Sequence, residues 1–210
     1  NSILITNTKG DIMFVNSAFE DVTGYKKDEV LGKNPRFLKT DHLPQKEYET
    51  LWKAIVGGNV WKGEFHNKRK NGSTYWEEAT ISPIKDEHEK IINYMAVKED
   101  VTAKKEIKKG RSIVIFPEGG WENSETEMRR FKNGAFQLAI DTNCPILPVT
   151  FKNNYDLFKD HKDFSGNTKP GIAKVVVHDY ISVDKLNRKD LVNLREQTFN
   201  IINKELTCEN

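Results

Sequence analysis

Residues 60–84 read VWKGEFHNKRKNGSTYWEEATISPI, and this stretch decides the fold of the first half of the chain. Two extended runs, Val60 to Asn67 and Thr74 to Ile84, flank Asn71-Gly72, a dipeptide suited to the positive φ of a tight hairpin turn. A third run, Lys90 to Val101, follows the polar loop Asp86-Glu87-His88-Glu89. Three such runs in succession predict an antiparallel meander. Upstream, Ser2 to Thr6 and Ile12 to Val15 are short β-type runs joined by the turn Lys9-Gly10-Asp11. Ser17 is placed to cap a helix, Glu20 three positions later completes a capping box, and Gly24 suits the left-handed residue that ends it. A longer helix is expected from Leu43 to Val56, with Tyr48, Leu51, Trp52 and Ile55 on one stripe. Together these elements predict an α+β domain over residues 1–102, a five-stranded antiparallel sheet with small helices.

The chain is long enough for two such cores: it has 210 residues. A net charge of +2 gives no electrostatic reason to bind nucleic acid, and the cluster Lys68-Arg69-Lys70 reads as a solvated turn. Cys144 and Cys208 lie far apart without metal-ligand spacing, so they read as reduced thiols and no metal site is expected. No apolar run approaches the ~18 residues that span a bilayer. The chain opens on Asn1-Ser2 ahead of a strand, without an initiator Met, and is expected to be a piece of something longer. A cytoplasmic location follows from these features, with contact at the inner face of a membrane as its alternative.

The second half, residues 103–210, has a different grammar. Ser112 to Phe116 is a short β-branched run that suits a buried parallel strand, stopped by Pro117 and followed by Glu118-Gly119-Gly120. Two glycines after a strand let backbone amides turn toward an anion. Asn133-Gly134-Ala135 then opens a helix with Ala135, Leu138 and Ala139 on one face and Lys132 adjacent, a pattern that suits phosphate or, equally, tight packing without a ligand. Pro145 to Phe151 and Ile172 to His178 read as strands, and Asn187 to Leu206 as a terminal amphipathic helix. The order strand, helix, strand predicts a parallel β-α-β unit.

Local strings of the first half agree with one family. Asn16-Ser17-Ala18-Phe19 with Thr23-Gly24-Tyr25, Trp61 to Phe65, Lys70-Asn71-Gly72, Ile81-Ser82-Pro83-Ile84 and Lys98 to Thr102 occur in the order of the PAS sensory family, which residues 1–102 resemble. The loop Gly32 to Leu38 is similar to the flavin-cysteine loop of light-sensing LOV domains, but Pro35 stands where those have Cys, so no flavin adduct can form. Asn67 matches a flavin-contacting amide of that subfamily; Glu77 and Lys98 stand where further amides are expected. Haem would need an axial ligand, and His42 is the only histidine placed for it by position. No cofactor is assigned; a packed core, a dimer surface and a bound small molecule all remain open.

Phe116-Pro117-Glu118-Gly119, Phe131-Lys132, Gly134-Ala135-Phe136 and Pro145 to Val149 resemble the lysophosphatidic acid acyltransferase (PlsC-like) family. That resemblance implies acyl transfer from acyl-CoA or acyl carrier protein to a lysophospholipid at a membrane surface, without a metal. It places Glu118, Gly119, Gly120, Lys132 and Gly134 at the substrate phosphate, although Gly120-Trp121 replaces a common Thr-Arg and leaves Arg129, Arg130 or Lys132 to supply the charge.

The same family uses a histidine general base oriented by an aspartate five positions on. The five histidines here have Glu47, Asn71, Asn93, Gly166 and Val183 at that offset, so no catalytic residue is assigned. The family sets that motif upstream of the Phe116 block, where this chain carries the PAS-like half. The charged segment Ala103 to Lys109 joins the halves without a Gly- or Pro-rich linker, which reads as a chimeric or fragmentary acyltransferase rather than two whole domains. Three readings follow: a PAS module with an incomplete acyltransferase, a sensory or interaction protein with a scaffold or lipid-phosphate-binding second half, and an enzyme completed in trans. PAS-mediated homodimerisation fits all three.

Overall fold

A computed structural model describes residues 1–40, 45–118, 128–153 and 171–207. The chain divides into two compact units, Asn1–Lys105 and Glu106–Asn210.

In the first unit the strands are β1 (Ser2–Asn7), β2 (Ile12–Val15), β3 (Trp61–Lys68), β4 (Thr74–Lys85) and β5 (Ile91–Asp100). They form one antiparallel sheet in the order β2-β1-β5-β4-β3. The meander predicted from residues 60–101 is therefore present, and β5 sits at its centre, held on both sides. Helices α1 (Ser17–Thr23), α2 (Lys27–Val30) and α3 (Gln45–Val56), with a 3₁₀ turn at Pro35–Leu38, fill the long connection between β2 and β3. The predicted cap shifts by one residue. Asn16, not Ser17, caps α1 by accepting the Phe19 N–H on its side chain. Its carboxamide oxygen also accepts the Ile3 N–H, so the cap ties α1 to β1, which a hydroxyl on Ser17 could not do from inside the helix. Glu20 faces the next helix instead and accepts from the Lys27 N–H. Gly24 ends α1 at φ 76°, as its left-handed freedom predicts.

Two apolar clusters hold the unit. Leu4, Ile12, Val15, Phe19, Val30 and Leu38 pack around β1 and the short helices. Leu51, Ile55, Trp61, Phe65, Ala79 and Tyr94 join α3 to the sheet face. On the predicted stripe of α3, Leu51 and Ile55 are buried, whereas Trp52 stays partly exposed and meets Tyr94 edge-on at 6.1 Å.

Helix α4 (Thr102–Lys108) follows β5, matching the predicted charged helix. In the second unit, α5 (Gly134–Thr142), β6 (Val149–Phe151), β7 (Val175–Val177) and α6 (Leu191–Thr207) are the main elements. Phe131, Phe136, Ala139, Ile181, Val183 and Leu194 form its core. On α5 the buried positions are Phe136 and Ala139, so the inward face is turned one residue from the predicted Ala135-Leu138-Ala139 face.

Two predictions fail here. Ser112 to Phe116 forms no strand, and Val114 and Phe116 are 83% and 70% exposed. An extended run becomes a strand only when a neighbour accepts its backbone hydrogen bonds, and none does so among the described residues. The predicted parallel β-α-β unit accordingly lacks its first strand, and β6 pairs antiparallel with β7.

Candidate functional site

A cavity of about 450 Å³ lies between α3 and the sheet of the first unit. Its body is apolar and aromatic, with Leu4, Tyr48, Trp52, Phe65 and Tyr94 in the wall. Gly10, Asn34, Pro35, Arg36 and Lys39 contribute the 3₁₀ side, and the Lys39 ammonium sits 4.3 Å from the Tyr48 ring centre. Asn67 on β3 and Lys98 on β5 supply polar groups deep in the wall.

Behind them stands Glu77 on β4. One carboxylate oxygen, Oε1, accepts from Asn67 Nδ2 at 2.8 Å and from Lys98 Nζ at 2.5 Å. All three residues are buried. Sheet register explains how they meet. Asn67 faces Tyr75 and Lys98 faces Ala79, so Glu77 lies two residues from each partner position, on the same face and within diagonal reach. The Glu77 charge is felt nearby. Burial first, then Glu77, pushes the Tyr48 phenol above its ordinary range. The same two causes raise Tyr75 further, against smaller opposing effects of Asn67 and Arg69. The Tyr75 hydroxyl is buried beside this cluster with no hydrogen-bond partner among the described residues.

Sequence reading found Asn67, Glu77 and Lys98 as positions but not as a bonded cluster. The available signal was the alternation itself: three polar side chains on the inward face of three adjacent strands must satisfy one another.

In the second unit, the Lys132 backbone N–H donates to the Pro117 carbonyl at 2.8 Å. This bond brings the turn carrying Glu118 beside Lys132 and the start of α5 at Gly134. Gly119 and Gly120, the other two residues expected at phosphate, lie outside the described residues. Asn133 does not cap α5 with its side chain; its Oδ1 accepts from Arg195 Nη1 at 2.7 Å. Arg195 is buried on α6 and pairs with Glu196. It places a guanidinium near the start of α5, a charge that sequence reading missed because it lies 62 residues downstream.

His178 Nε2 meets Thr150 Oγ1 at 2.8 Å, His66 Nδ1 meets Thr40 Oγ1 at 3.2 Å, and His88 Nε2 lies 3.6 Å from Glu87. His42, the only histidine whose position suited an axial haem ligand, and His161 lie outside the described residues. No cluster of three or more metal-ligating side chains occurs among the described residues, and no described helix is long and apolar enough to cross a membrane.

Two family models match parts of the chain, and their matches overlap at residues 88–103. Residues 1–103 match the family model of the PAS domain, and residues 88–152 match that of an acyltransferase. The chain is 35% identical over 97 residues to a bacterioopsin transcriptional activator of Halobacterium salinarum, covering 46% of this chain and 14% of that protein. It is 28% identical over 101 residues to a nitrogen fixation regulatory protein of Klebsiella oxytoca, covering 48% of this chain and 20% of the relative. A blue-light photoreceptor of Listeria monocytogenes is 28% identical over 184 residues, 87% of this chain and 68% of the relative. The chain thus spans no more than a fifth of the first two relatives. Among solved structures, an RNA-binding light-oxygen-voltage receptor aligns with a TM-score of 0.49 and 29% identity, over 51% of this chain and 31% of that one. Residues 1–103 are thus similar to PAS domains, and residues 88–152 to part of an acyltransferase domain.

Proposed function

We propose that residues 1–102 are a sensory module and that residues 103–210 are the phosphate-handling part of a glycerolipid acyltransferase, unable by itself to transfer an acyl chain. The parent reaction would move an acyl group from acyl-CoA or acyl carrier protein to lysophosphatidate. The observation that carries this reading is the pairing of an intact Phe116-Pro117-Glu118-Gly119 block with histidines that all lack aspartate at the fifth position. Without that base, nothing in the motif takes the proton from the acceptor hydroxyl. The exposed apolar run at Ile113 to Phe116 supports the same reading, since a β-branched segment left unpaired among the described residues suits a fold that pairs it with strands this half does not supply.

A second reading is favoured by one feature, the cationic surroundings of α5. Lys132 is exposed next to that helix start, and Arg195 is fixed to Asn133 there. A lipid-phosphate binder without catalysis would use the same groups, with Glu118, Gly119, Gly120 and Gly134 shaping the site. A membrane surface and a lysophospholipid are then its partners, and a PAS-mediated homodimer its assembly. The light chemistry named for one relative does not carry over, because Pro35 has no thiol.

Titration of the full chain with glycerol phosphate tests the site. Saturable binding, lost in Lys132→Ala and in Glu118→Ala with the circular dichroism spectrum unchanged, supports it. Binding retained in both variants contradicts it.

A further inference from the structure

We infer that the buried Glu77–Lys98 pair is a specificity determinant that closes the inner wall of the PAS cavity to flavin. The inference deepens the sensory half of the proposed function and is independent of whether the second half transfers acyl groups.

The cavity is wide enough, at about 450 Å³, and aromatic enough to accept a flat ring system. What decides the matter is hydrogen-bond grammar at its inner end. The pyrimidine edge of an isoalloxazine alternates acceptor, donor and acceptor. Amide side chains answer such an edge because each carries both a donor and an acceptor and stays neutral. Here Lys98 brings to the wall an ammonium, which only donates, and behind it stands the Glu77 carboxylate, which only accepts. Asn67, the one amide at this end, spends its Nδ2 on Glu77 Oε1, the oxygen that also receives Lys98. The side chains of Glu77 and Lys98 are 3% and 8% exposed, so water does not replace a broken bond. A flavin edge would have to separate that pair and leave a buried charge without its partner. Pro35 lines the same cavity and has no thiol, which bears on adduct formation and not on non-covalent binding. The cavity therefore suits an apolar ring system that makes no amide-type demand on the wall at Asn67 and Lys98.

The test uses the full chain and flavin mononucleotide, read by quenching of flavin fluorescence on binding. The unaltered chain should bind at least about a hundredfold more weakly than the double variant Glu77→Asn/Lys98→Gln, which removes both charges together and restores two amides. The exchanged pair Glu77→Lys/Lys98→Glu keeps the ion pair and should stay as weak as the unaltered chain. Circular dichroism confirms that each variant is folded. Tight flavin binding by the unaltered chain overturns the inference, and so does a folded Glu77→Asn/Lys98→Gln variant that gains no affinity.

Discussion

Asn34 donates its side-chain N–H to the carbonyl of Gly10 at 3.1 Å, fastening the 3₁₀ segment to the β1–β2 turn at the cavity wall. Gly10 holds φ +87°, and a Cβ there would lie 2.8 Å from Asn34 Nδ2 and 3.1 Å from the Trp52 ring. The turn thus needs glycine for two reasons, its backbone conformation and the closeness of its neighbours.

Gly10→Ala should therefore lower stability by about 1–2 kcal/mol through the left-handed backbone alone, with the contacts to Asn34 and Trp52 adding to it. Urea unfolding followed by hydrogen exchange at β1 and β2 measures the effect. A change within about 0.5 kcal/mol, the range of a neutral surface substitution, would show that the turn relaxes freely.

Lys98→Met should cost about 3–5 kcal/mol, because it leaves Glu77 charged and buried without its cation. Glu77→Gln/Lys98→Met removes both charges and should recover most of that loss. Chemical denaturation with hydrogen-exchange readout at β4 and β5 compares them. Equal losses in the single and double variants would mean that packing, not charge, sets the cost.

Acid should weaken the α1–α2 corner. The Lys27 N–H first, then the Lys26 ammonium, hold the Glu20 carboxyl below its ordinary 4.5. Lys70, then the Lys26 N–H, do the same for Glu29. A carboxyl depressed in the folded state stabilises above its unfolded pKa, and that contribution disappears as pH falls through the folded value. Stability should then drop as pH falls below about 4.5. Glu20→Gln, which still accepts the Lys27 N–H, should flatten that slope. Identical pH profiles for the two proteins would remove Glu20 from the explanation.

Most of the first unit was legible because its signals are local: Asn71-Gly72 between two β-type runs, Gly24 after a short helix, and a hydrophobic stripe on α3. Asn16 escaped notice as a cap since its second hydrogen bond, to Ile3, crosses 13 residues of sequence. The Asn67–Glu77–Lys98 cluster depends on register across three strands, which no single segment encodes. In the second half the error had a different origin. Ser112 to Phe116 has the composition of a strand, but strand formation belongs to the pair and not to the segment. Arg195 reaches Asn133 only because α6 folds back beside α5, a long-range outcome with no local sign.

The proposal that the second half does not transfer an acyl chain by itself is tested most directly by incubating the purified chain with acyl-CoA and lysophosphatidate and measuring phosphatidate. No product above the protein-free blank is expected. Phosphatidate that increases with the amount of chain and is lost in a folded Glu118→Ala variant would contradict it, and would require a proton acceptor other than the motif histidine this sequence lacks.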